Sequence, residues 1–446
     1  MNLHRERNTI CGDMMMNSIW QNTTFPHFPK LSGDAKTDVL VIGGGMAGLL
    51  CAYLLTQAGV DTILVEENRI CSGISKDTTA KITSQHGLIY HKLLQKYGTE
   101  KAKMYLDANE AALKQYQELA KAIPCHFEVK SSYVYNLRDP KAIEQELQAV
   151  RKLGFPADFR EELPLPFEIV GAVKFRHQAQ FHPLEFAAEV AKSIKIFENT
   201  SVRQLEGTKA ITDTGTITAE NVIVATHFPF INRHGSYYLK LYQQRSYVLA
   251  LENGPNLGGM YICGEDGGFS FRNAGSYLLL GGNSHRTGKK SSGWQPLEEL
   301  AQRCYPDATP CQRWATQDCM SLDSIPYIGQ YSAHTPGVYA ATGFNKWGMS
   351  SSMVAAMVLC DQILGKENPY AQVFSPSRSI LHPQLALNAA EAILHLLRPS
   401  RPRCPHMGCA LQWNKQERSW DCPCHGSRFD KNGRKLTNPS QKDLEL

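Results

Sequence analysis

The clearest hydrophobic pattern in the chain lies near its start, where residues 38–42 form a continuous apolar run. Such a run is typical of a buried strand in a parallel sheet. A glycine-rich turn follows, and apolar residues at helical spacing in 49–54 predict an amphipathic helix. A second short run at 62–66, ending in an acidic residue, predicts a second strand. The order strand, helix, strand indicates a βαβ unit.

Hydrophobic periodicity also predicts the elements that follow this unit. Apolar residues spaced three and four apart predict helices at 99–123, 139–153, from Leu184 onward, at 348–364 and at 383–398. The last of these has one apolar face, made of Leu385, Ala389, Ile393, Leu396 and Leu397. From about 237 to 290 the pattern changes to short alternating runs with glycine-rich turns, which predicts an antiparallel sheet.

The turn after the first strand carries a dinucleotide-binding fingerprint, Gly43-Gly-Gly45-Met-Ala-Gly48. Gly43 suits the tight turn, Gly45 lets the backbone approach a pyrophosphate, and Gly48 allows close packing of helix on strand. The helix N-terminus offers its positive dipole end to phosphates, and Glu66 can accept hydrogen bonds from ribose hydroxyls. The unit predicts an ADP-containing dinucleotide but does not decide between FAD and NAD.

Further segments resemble the D-amino-acid-oxidase-like flavoprotein superfamily, which includes glycine oxidase, sarcosine oxidase and glycerol-3-phosphate dehydrogenase. These segments are 72–87, with Asp77-Thr-Thr-Ala-Lys81 at its centre, 221–226, 323–329, 340–343 and 348–351. The resemblance covers about residues 36–370 and implies FAD as the cofactor, with NAD as the minor alternative. It implies cofactor contacts from Gly43, Gly45, Met46, Ala47, Gly48, Glu66, Ser72, Thr78, Thr79, Ala80, Gly343, Gly348 and Met349.

Near the C-terminus, cysteines and histidines fall into two short segments. Cys404-Pro-His406 and Cys422-Pro-Cys-His425 each offer one thiolate and one imidazole, with fifteen residues between His406 and Cys422. Two thiolates on one iron and two imidazoles on the other are the ligands of a Rieske 2Fe-2S centre. A structural zinc site also accepts this ligand set, but zinc fingers pair cysteine with cysteine and histidine with histidine.

The segment Cys422-Pro-Cys-His-Gly-Ser427 resembles the second cluster-binding loop of Rieske proteins. The resemblance implies a disulfide between Cys409 and Cys424, and a Ser427 hydroxyl directed at a bridging sulfur. Phe429 stands where high-potential Rieske proteins carry a tyrosine. The order of the parts, with the flavoprotein first and the Rieske module last, is similar to a bacterial family of FAD-dependent oxidoreductases with a C-terminal Rieske domain.

These patterns predict an α/β fold with a Rossmann-type FAD-binding domain, an antiparallel-sheet substrate domain and a small, shortened all-β Rieske module. We expect an irregular lead-in at 1–35 and an FAD-dependent oxidoreductase domain at 36–375, with the substrate-side sheet inserted at about 237–318. A helix and linker at 376–403 and the Rieske module at 404–446 follow. The module is expected to be short because little chain separates the last helix from Cys404.

Composition limits the classes of protein to consider. With 446 residues, 42% hydrophobic and 20% charged, the chain is typical of a soluble globular protein with two or three domains. A net charge of +5 gives no nucleic-acid footprint. The sequence has neither an apolar run long enough for a membrane span nor the apolar segment of a signal peptide. We therefore expect a cytoplasmic protein whose remaining cysteines are reduced.

The sequence shows no catalytic acid–base pair, so substrate-side candidates are chosen by their position. They are Arg245, Arg272, His285 and Lys346, with Tyr247 as a further one. We expect a flavin enzyme that oxidises a small amine or hydroxy compound and exchanges single electrons, through the cluster, with a one-electron carrier protein. Two alternatives stay open: a flavin oxidase with a nonfunctional cluster module, and a non-enzymatic electron-transfer or redox-sensing flavoprotein.

Overall fold

The computed structural model describes residues 16–231, 234–400 and 402–446. Its α-helices, numbered along the chain, are α1 (Met46–Gln57), α2 (Tyr90–Ala120), α3 (Pro140–Lys152), α4 (Pro183–Ala191), α5 (Tyr237–Lys240), α6 (Gln295–Cys304), α7 (Gly348–Ile363), α8 (Ala371–Phe374) and α9 (Pro383–Leu397). No helix in these ranges has the length and apolar character needed to cross a lipid bilayer. Of the predicted lead-in, residues 16–34 contain neither helix nor strand, and residues 1–15 lie outside the described residues.

The strands are numbered in the same way: β1 (Ala35–Ile42), β2 (Thr62–Val65), β3 (Lys81–Ile82), β4 (Glu128–Asn136), β5 (Ala157–Arg160), β6 (Gly171–Gln180), β7 (Lys195–Phe197), β8 (Val202–Glu206), β9 (Lys209–Thr212), β10 (Thr216–Val224), β11 (Leu241–Glu252), β12 (Met260–Cys263), β13 (Ser270–Ala274), β14 (Tyr277–Arg286), β15 (Thr309–Ser321), β16 (Tyr327–Gln330), β17 (Val338–Thr342), β18 (Gln412–Asn414), β19 (Ser419–Asp421), β20 (Arg428–Asp430) and β21 (Lys435–Thr437). The helices predicted from periodicity all occur. Helix α2 begins nine residues before its predicted start, and Gly98, at φ +79°, marks a kink between its first part and the predicted part.

The first sheet lies beneath the glycine-rich turn, and its main strand order is β16-β17-β10-β1-β2-β7. Strand β1 pairs in parallel with β2 and β10, so the carboxyl ends of three strands meet at the turn. Gly43 has φ +110°, and a Cβ on Gly48 would lie 1.9 Å from the carbonyl oxygen of Gly43. Both glycines are therefore required by the fold, because helix α1 begins in direct contact with the turn backbone.

The predicted antiparallel sheet is confirmed and is larger than the sequence indicates. Its strand order is β15-β11-β14-β13-β12-β4-β6-β3, with β5 on β6. Strands β11 to β15 come from the predicted region, whereas β3 to β6 join from earlier in the chain, and β12 pairs with β4 in parallel. Buried aromatic side chains, among them Tyr247, Phe271 and Trp294, fill its core with helix α6. Alternation within one segment does not reveal pairing between segments that are distant in sequence.

Residues 404–446 form a separate four-stranded antiparallel sheet, β18-β19-β20-β21, which we call the cluster module. The cysteines of the two Cys/His segments form its core with Leu411, Phe429 and Leu444, and Ala392 of helix α9 packs against that core. The amide of Ala410 donates a hydrogen bond of 2.9 Å to the carbonyl of a residue in α9. Helix α9 thus supports one side of the shortened module.

The cluster module docks on the second sheet through the backbone of its second Cys/His segment, residues 422–427. Carbonyl groups of this segment accept hydrogen bonds from Gln243 on β11 at 2.7 Å, Gln317 on β15 at 2.9 Å and Arg286 on β14 at 3.0 Å. A Cβ on Gly288 would lie 2.7 Å from Pro423, so the backbones approach closely. Three neighbouring strands therefore hold the segment in place.

A buried ion network joins the cluster module to the same sheet. Glu417, in the turn between β18 and β19, accepts hydrogen bonds from Arg245 on β11 and from Arg428 on β20, the latter at 2.7 Å. Arg428 also donates to Asp421 at 2.9 Å. Burial alone would raise the pKa of Glu417, but the two guanidinium groups lower it to about 2. The carboxylate is thus ionised at neutral pH, and its charge is compensated inside the interface.

We expect Glu417→Gln to loosen the cluster module, because it leaves two buried guanidinium groups without their shared anion. Breaking a buried ion pair from one side costs about 3–5 kcal/mol. The wild-type contribution is complete above about pH 4.5, the ordinary value for a glutamate, and is lost as the pH falls through about 2. Urea unfolding of the full chain at pH 7 measures the loss. Glu118→Gln is the control, since Glu118 pairs with Lys121 on the surface. Equal stability of the two variants would contradict this account.

Candidate functional site

A cavity of about 550 Å³ lies between the two large sheets and the cluster module. The glycine-rich turn, the start of α1 and residues 66–75 line one part of it, and residues 262–268, 281–284 and 316–319 of the second sheet line another. Residues 436–438 and Gln441 of the cluster module complete the wall. The cavity therefore combines the carboxyl ends of the first sheet, where nucleotides bind in such folds, with a face of the second sheet.

The glycine-rich turn fits the pyrophosphate of a dinucleotide. Among the described residues, a Cβ on Gly45 would meet only Ser75 Oγ within 4 Å, at 3.4 Å. Gly45 lines the cavity and precedes helix α1 as its N-cap residue, with no side-chain cap. Backbone N–H groups at the positive N-terminal end of a helix form a binding site for a phosphate group when no side chain covers them. Packing within the protein does not require glycine at this position, so the open space beside Gly45 suits a ligand in the cavity.

Glu66, predicted to bind ribose, braces the turn and lines the cavity. Its carboxylate accepts hydrogen bonds from the amides of Gly44 at 2.7 Å and of Asn68 at 2.9 Å, one on each oxygen. Each carboxylate oxygen can accept a second bond. Glu66 can therefore hold the turn in shape and still accept hydrogen bonds from the hydroxyls of a ribose.

Most other residues predicted to contact the cofactor also line the cavity. They are Met46, Ala47, Ser72, Thr78, Thr79, Gly348 and Met349. The other two, Ala80 and Gly343, lie next to the wall. The carbonyl of Ala80 accepts a hydrogen bond from Arg272 at 2.8 Å, and the carbonyl of Gly343 accepts one from Asn345 at 2.6 Å. These two residues hold the loops that carry their lining neighbours.

Of the four substrate-side candidates, Lys346 lines the cavity, and so does Tyr247. Arg245 is bound to Glu417 in the interface described above, and Arg272 donates to the backbone carbonyls of Thr79 and Ala80 at 2.6 and 2.8 Å. The ring of His285 stacks on that of Tyr247 at 5.8 Å. Both arginines thus have structural partners: the Glu417 carboxylate for Arg245 and backbone carbonyls for Arg272.

Two titratable residues of the cavity wall, Lys81 and Asp318, were missed by sequence reasoning. Burial lowers the pKa of Lys81 to about 7, and the nearby charge of Arg272 adds to this effect. Burial raises the pKa of Asp318 to about 6, against the opposing charge of Lys346. Lys81 stands in a segment that resembles flavoproteins, where it could have been found. Asp318 lies inside a long strand, and nothing local distinguishes it.

The two histidines predicted as cluster ligands face each other. Their ring centroids are 5.0 Å apart, with nearly perpendicular planes. Nδ1 of His425 is buried without a hydrogen-bond partner among the described residues, while its Nε2 bonds the carbonyl of Tyr238 at 3.1 Å. Burial and the neighbouring His425 lower the pKa of His406 to about 4, so this ring is neutral at pH 7. A neutral imidazole with one nitrogen fixed by a carbonyl is the usual form of a metal-binding histidine.

The cysteines of the two segments converge beside these rings. The sulfurs of Cys409, Cys422 and Cys424 lie within 4.8 Å of one another. Hydrogen bonds from Cys404, and then from the other two thiols, lower the pKa of Cys422 well below its ordinary value. Thiolates beside neutral imidazoles fit the ligand set of a 2Fe-2S centre, with the predicted ligands Cys404, His406, Cys422 and His425.

The predicted disulfide between Cys409 and Cys424 is not present in this structure, in which both residues are free thiols. The two sulfurs are in hydrogen-bonding contact and share a third thiol, Cys422. A disulfide would need them about 2.05 Å apart. The structure therefore does not support the pairing implied by the resemblance.

Comparison with known proteins agrees with both halves of this site. The family described as FAD dependent oxidoreductase matches residues 38–362, and the family described as Rieske [2Fe-2S] domain matches residues 386–446. The chain therefore belongs to the FAD-dependent oxidoreductase family and carries a C-terminal Rieske domain. FAD and a 2Fe-2S cluster are the cofactors of these two domains, which excludes the zinc and NAD alternatives.

One relative matches the chain along nearly its whole length. YhfW of Bacillus subtilis (strain 168), which carries the name of a Rieske 2Fe-2S iron-sulfur protein, is 32% identical, with 96% of each chain covered. Among solved structures, glycine oxidase from Geobacillus kaustophilus has a TM-score of 0.66 at 19% identity, covering 78% of this chain and 100% of that one. L-proline dehydrogenase from P. horikoshii also has a TM-score of 0.66, at 17% identity, covering 77% and 98%. At these identities the two structures establish the fold only.

We expect Gly45→Val to weaken FAD binding by at least about tenfold, or about 1.4 kcal/mol, because the side chain would occupy the space that the pyrophosphate needs. The apoprotein should keep its fold, since that space contains no protein atom of the described residues closer than Ser75 Oγ. Flavin titration followed by fluorescence measures the change. Ala58→Val, at the exposed other end of α1, is the control. Full flavin occupancy of the Gly45 variant would place the cofactor elsewhere.

We expect Ser427→Ala to lower the reduction potential of the cluster. The Ser427 side chain is buried beside Cys404 and acts to lower the pKa of that thiol, against larger effects that raise it. A hydrogen bond from such a hydroxyl to a cluster sulfur stabilises the reduced, more negative cluster. A differential bond strength of about 1.4 kcal/mol corresponds to about 60 mV for one electron. Phe429→Tyr should shift the potential upward. Ser440→Ala is the control, since its hydroxyl donates to the carbonyl of Lys442. Redox titration that shows the same midpoint in all variants would mean these hydroxyls do not reach the cluster sulfurs.

Proposed function

We propose that this protein oxidises a small amine or hydroxy compound in the flavin cavity and delivers the electrons singly, through the Rieske centre, to an external carrier. When bound, a flavin takes up two electrons as a hydride and can release them one at a time, which matches it to a one-electron cluster. The observation that carries the proposal is that one short segment, residues 225–228, touches both sites. A cytoplasmic location belongs to the same proposal, since the described cysteines are free thiols.

The segment begins at the carboxyl end of β10 and separates the cavity from the cluster ligands. Ala225, Thr226 and His227 line the cavity. The next residue, Phe228, is fully buried, and its ring lies edge-on to His406 and His425, with centroids 6.4 and 5.9 Å away. The shared segment supports direct electron exchange between the two cofactors within one chain.

The chain's own residues have distinct tasks in this proposal. The glycine-rich turn and Glu66 hold the dinucleotide, and residues 436–438 of the cluster module complete the cavity wall. Lys346 and Asp318 are the titratable groups that we propose for the substrate side. Burial lowers the pKa of Lys346, with Asp318 opposing that shift. Asp318, whose pKa burial raises to about 6, is the group that can take up a proton released by the substrate. The contacts of Arg245, Arg272 and His285 favour supporting roles for these three residues.

The deciding experiment uses the purified protein with flavin, iron and zinc measured. Under anaerobic conditions a panel of small amines and hydroxy acids is added, and the reduced cluster is followed by electron paramagnetic resonance alongside flavin bleaching. We expect one substrate class to reduce both centres, with two electrons recovered per substrate oxidised. Peroxide formation in air with a cluster that stays oxidised would show a flavin oxidase instead. Failure of the whole panel would favour a flavin that exchanges electrons only with protein partners.

We expect Phe228→Leu to slow electron exchange between the two centres several-fold, while flavin and cluster spectra stay unchanged. Leucine keeps most of the buried volume, so the fold should lose less than about 1.5 kcal/mol. The aromatic contact with both histidines is lost. Stopped-flow reduction with separate flavin and cluster wavelengths measures the rate. Phe230→Leu, which lines the cavity two residues further on, is the matched control. If Phe228→Leu exchanges electrons between the two centres as fast as Phe230→Leu does, residues 225–228 are excluded as the electron-transfer route.

A further inference from the structure

The outward side of helix α9 is an exposed apolar surface next to the cluster. Leu387, Leu394 and Leu397 follow one another at seven- and three-residue spacing and are 61%, 59% and 77% exposed, and Ile393 lies beside them. The helix turns its polar side inward instead: Asn388 is buried against Arg286 and Leu239, and His395 is buried against Glu391. Of the predicted apolar face of this helix, Ile393, Leu396 and Leu397 are exposed, and Leu385 and Ala389 are half-buried. Unpartnered apolar patches of this kind commonly mark interaction sites.

Positive charge surrounds this surface. A groove of about 540 Å³ runs between the C-terminal turn of α9 and the turn after β14, lined by Leu394 and Leu397 together with Lys289, Lys290 and Arg398. Lys289 is neutralised by Glu391 at 2.6 Å. Within the described ranges, Lys290 and Arg398 form no ion pair. An apolar centre with uncompensated basic residues at its edge favours an acidic partner.

The surface is continuous with the outer side of the cluster. Arg403 donates hydrogen bonds to the carbonyl of Leu396 at 3.2 Å and to that of Gly408 at 2.6 Å, so the end of α9 is tied to the first Cys/His segment. Met407, next to the ligand His406, is 38% exposed. On the flavin side, His406 and the buried His425 both lie against Phe228. The cluster thus has one side toward the flavin cavity and another toward the α9 surface.

We propose that this surface, consisting of Leu387, Ile393, Leu394, Leu397 and Met407 with Lys290, Arg398 and Arg403 at its edge, is the docking site of a small acidic one-electron carrier protein. The inference rests on the proposed function, which requires an external carrier. It adds the place on this protein where the carrier binds and the sign of the carrier's charge. Redox partners form small, transient complexes that are steered by complementary charge. A carrier seated here would contact Met407, the exposed neighbour of His406.

A second copy of this chain is the less favourable occupant. A symmetric dimer places the same patch against itself, so Lys290, Arg398 and Arg403 of one copy would meet the same residues of the other. Like charges brought together at an interface oppose binding. The net charge of +5 on the chain adds to this repulsion. An acidic partner gains from the same charges.

The test uses the full-length protein with both cofactors and two probes of opposite charge: an oxidised plant-type ferredoxin, which is acidic, and mitochondrial cytochrome c, which is basic. Calorimetric titration at low and at physiological ionic strength gives the affinity for each probe. We expect the ferredoxin to bind, with an affinity that falls as salt rises, and cytochrome c not to bind. Arg398→Glu and Leu397→Asp should each weaken ferredoxin binding about tenfold. The matched controls Lys36→Glu and Val129→Asp, both exposed and on other elements, should bind as the wild type does.

Several outcomes would overturn the proposal. In the titrations, these are absence of ferredoxin binding, equal affinity of the α9 variants and the controls, and preferential binding of cytochrome c. A wild-type dimer that Leu397→Asp converts to a monomer would show that a second copy of the chain occupies the surface. Sedimentation with anionic lipid vesicles that the same variant abolishes would show that a membrane does. Substrate-driven cluster reduction, measured without any carrier, separates this inference from the proposed function. A cluster that the substrate reduces, in a protein that binds no ferredoxin, would refute the docking site alone. Ferredoxin binding without substrate-driven reduction would refute the proposed oxidation alone.

Discussion

The docking of residues 404–446 on the second sheet is the constraint on which the rest of the structure depends. A module of this size buries too little apolar surface to be stable by itself, and very small domains usually need a metal, disulfides or a partner surface. Helix α9 and strands β11, β14 and β15 provide that surface here, through backbone hydrogen bonds and a buried ion network. The same contact sets the position of the cluster ligands and of the cavity wall, so both redox sites depend on it.

The interface is fixed by polar groups that accept only one arrangement. Removing Arg245, Glu417 and Arg428 from water carries a desolvation cost that their mutual attraction offsets only in good geometry. A displaced module would leave Arg245 buried and unpaired inside β11. We infer that the network contributes mainly to the uniqueness of the docked position. This suits electron exchange over a fixed path better than a mobile cluster domain, because Phe228 contacts both histidines only when the module is docked.

Short-range motifs explain how much of the site could be predicted. The fingerprint Gly43–Gly48 and the two Cys/His segments carry their chemistry within a few residues, and the structure places them beside a cavity and around a shared centre. Arg245 is the opposite case, since its partner Glu417 lies 172 residues away and no pattern near either residue indicates the pair. The second sheet was underpredicted for the same reason, because β12 finds its parallel partner β4 in a distant segment. Helix α9 was predicted correctly as an amphipathic helix, yet periodicity alone does not tell which side faces the protein.

The wall of the flavin cavity has a consequence for the biogenesis of the protein. Residues 436–438 and Gln441 are synthesised after every other residue that lines this cavity, and they reach it only when the cluster module has folded. A nascent chain therefore presents an open nucleotide cleft, which closes late. We infer that flavin retention depends on the folding and docking of the cluster module as well as on the glycine-rich turn.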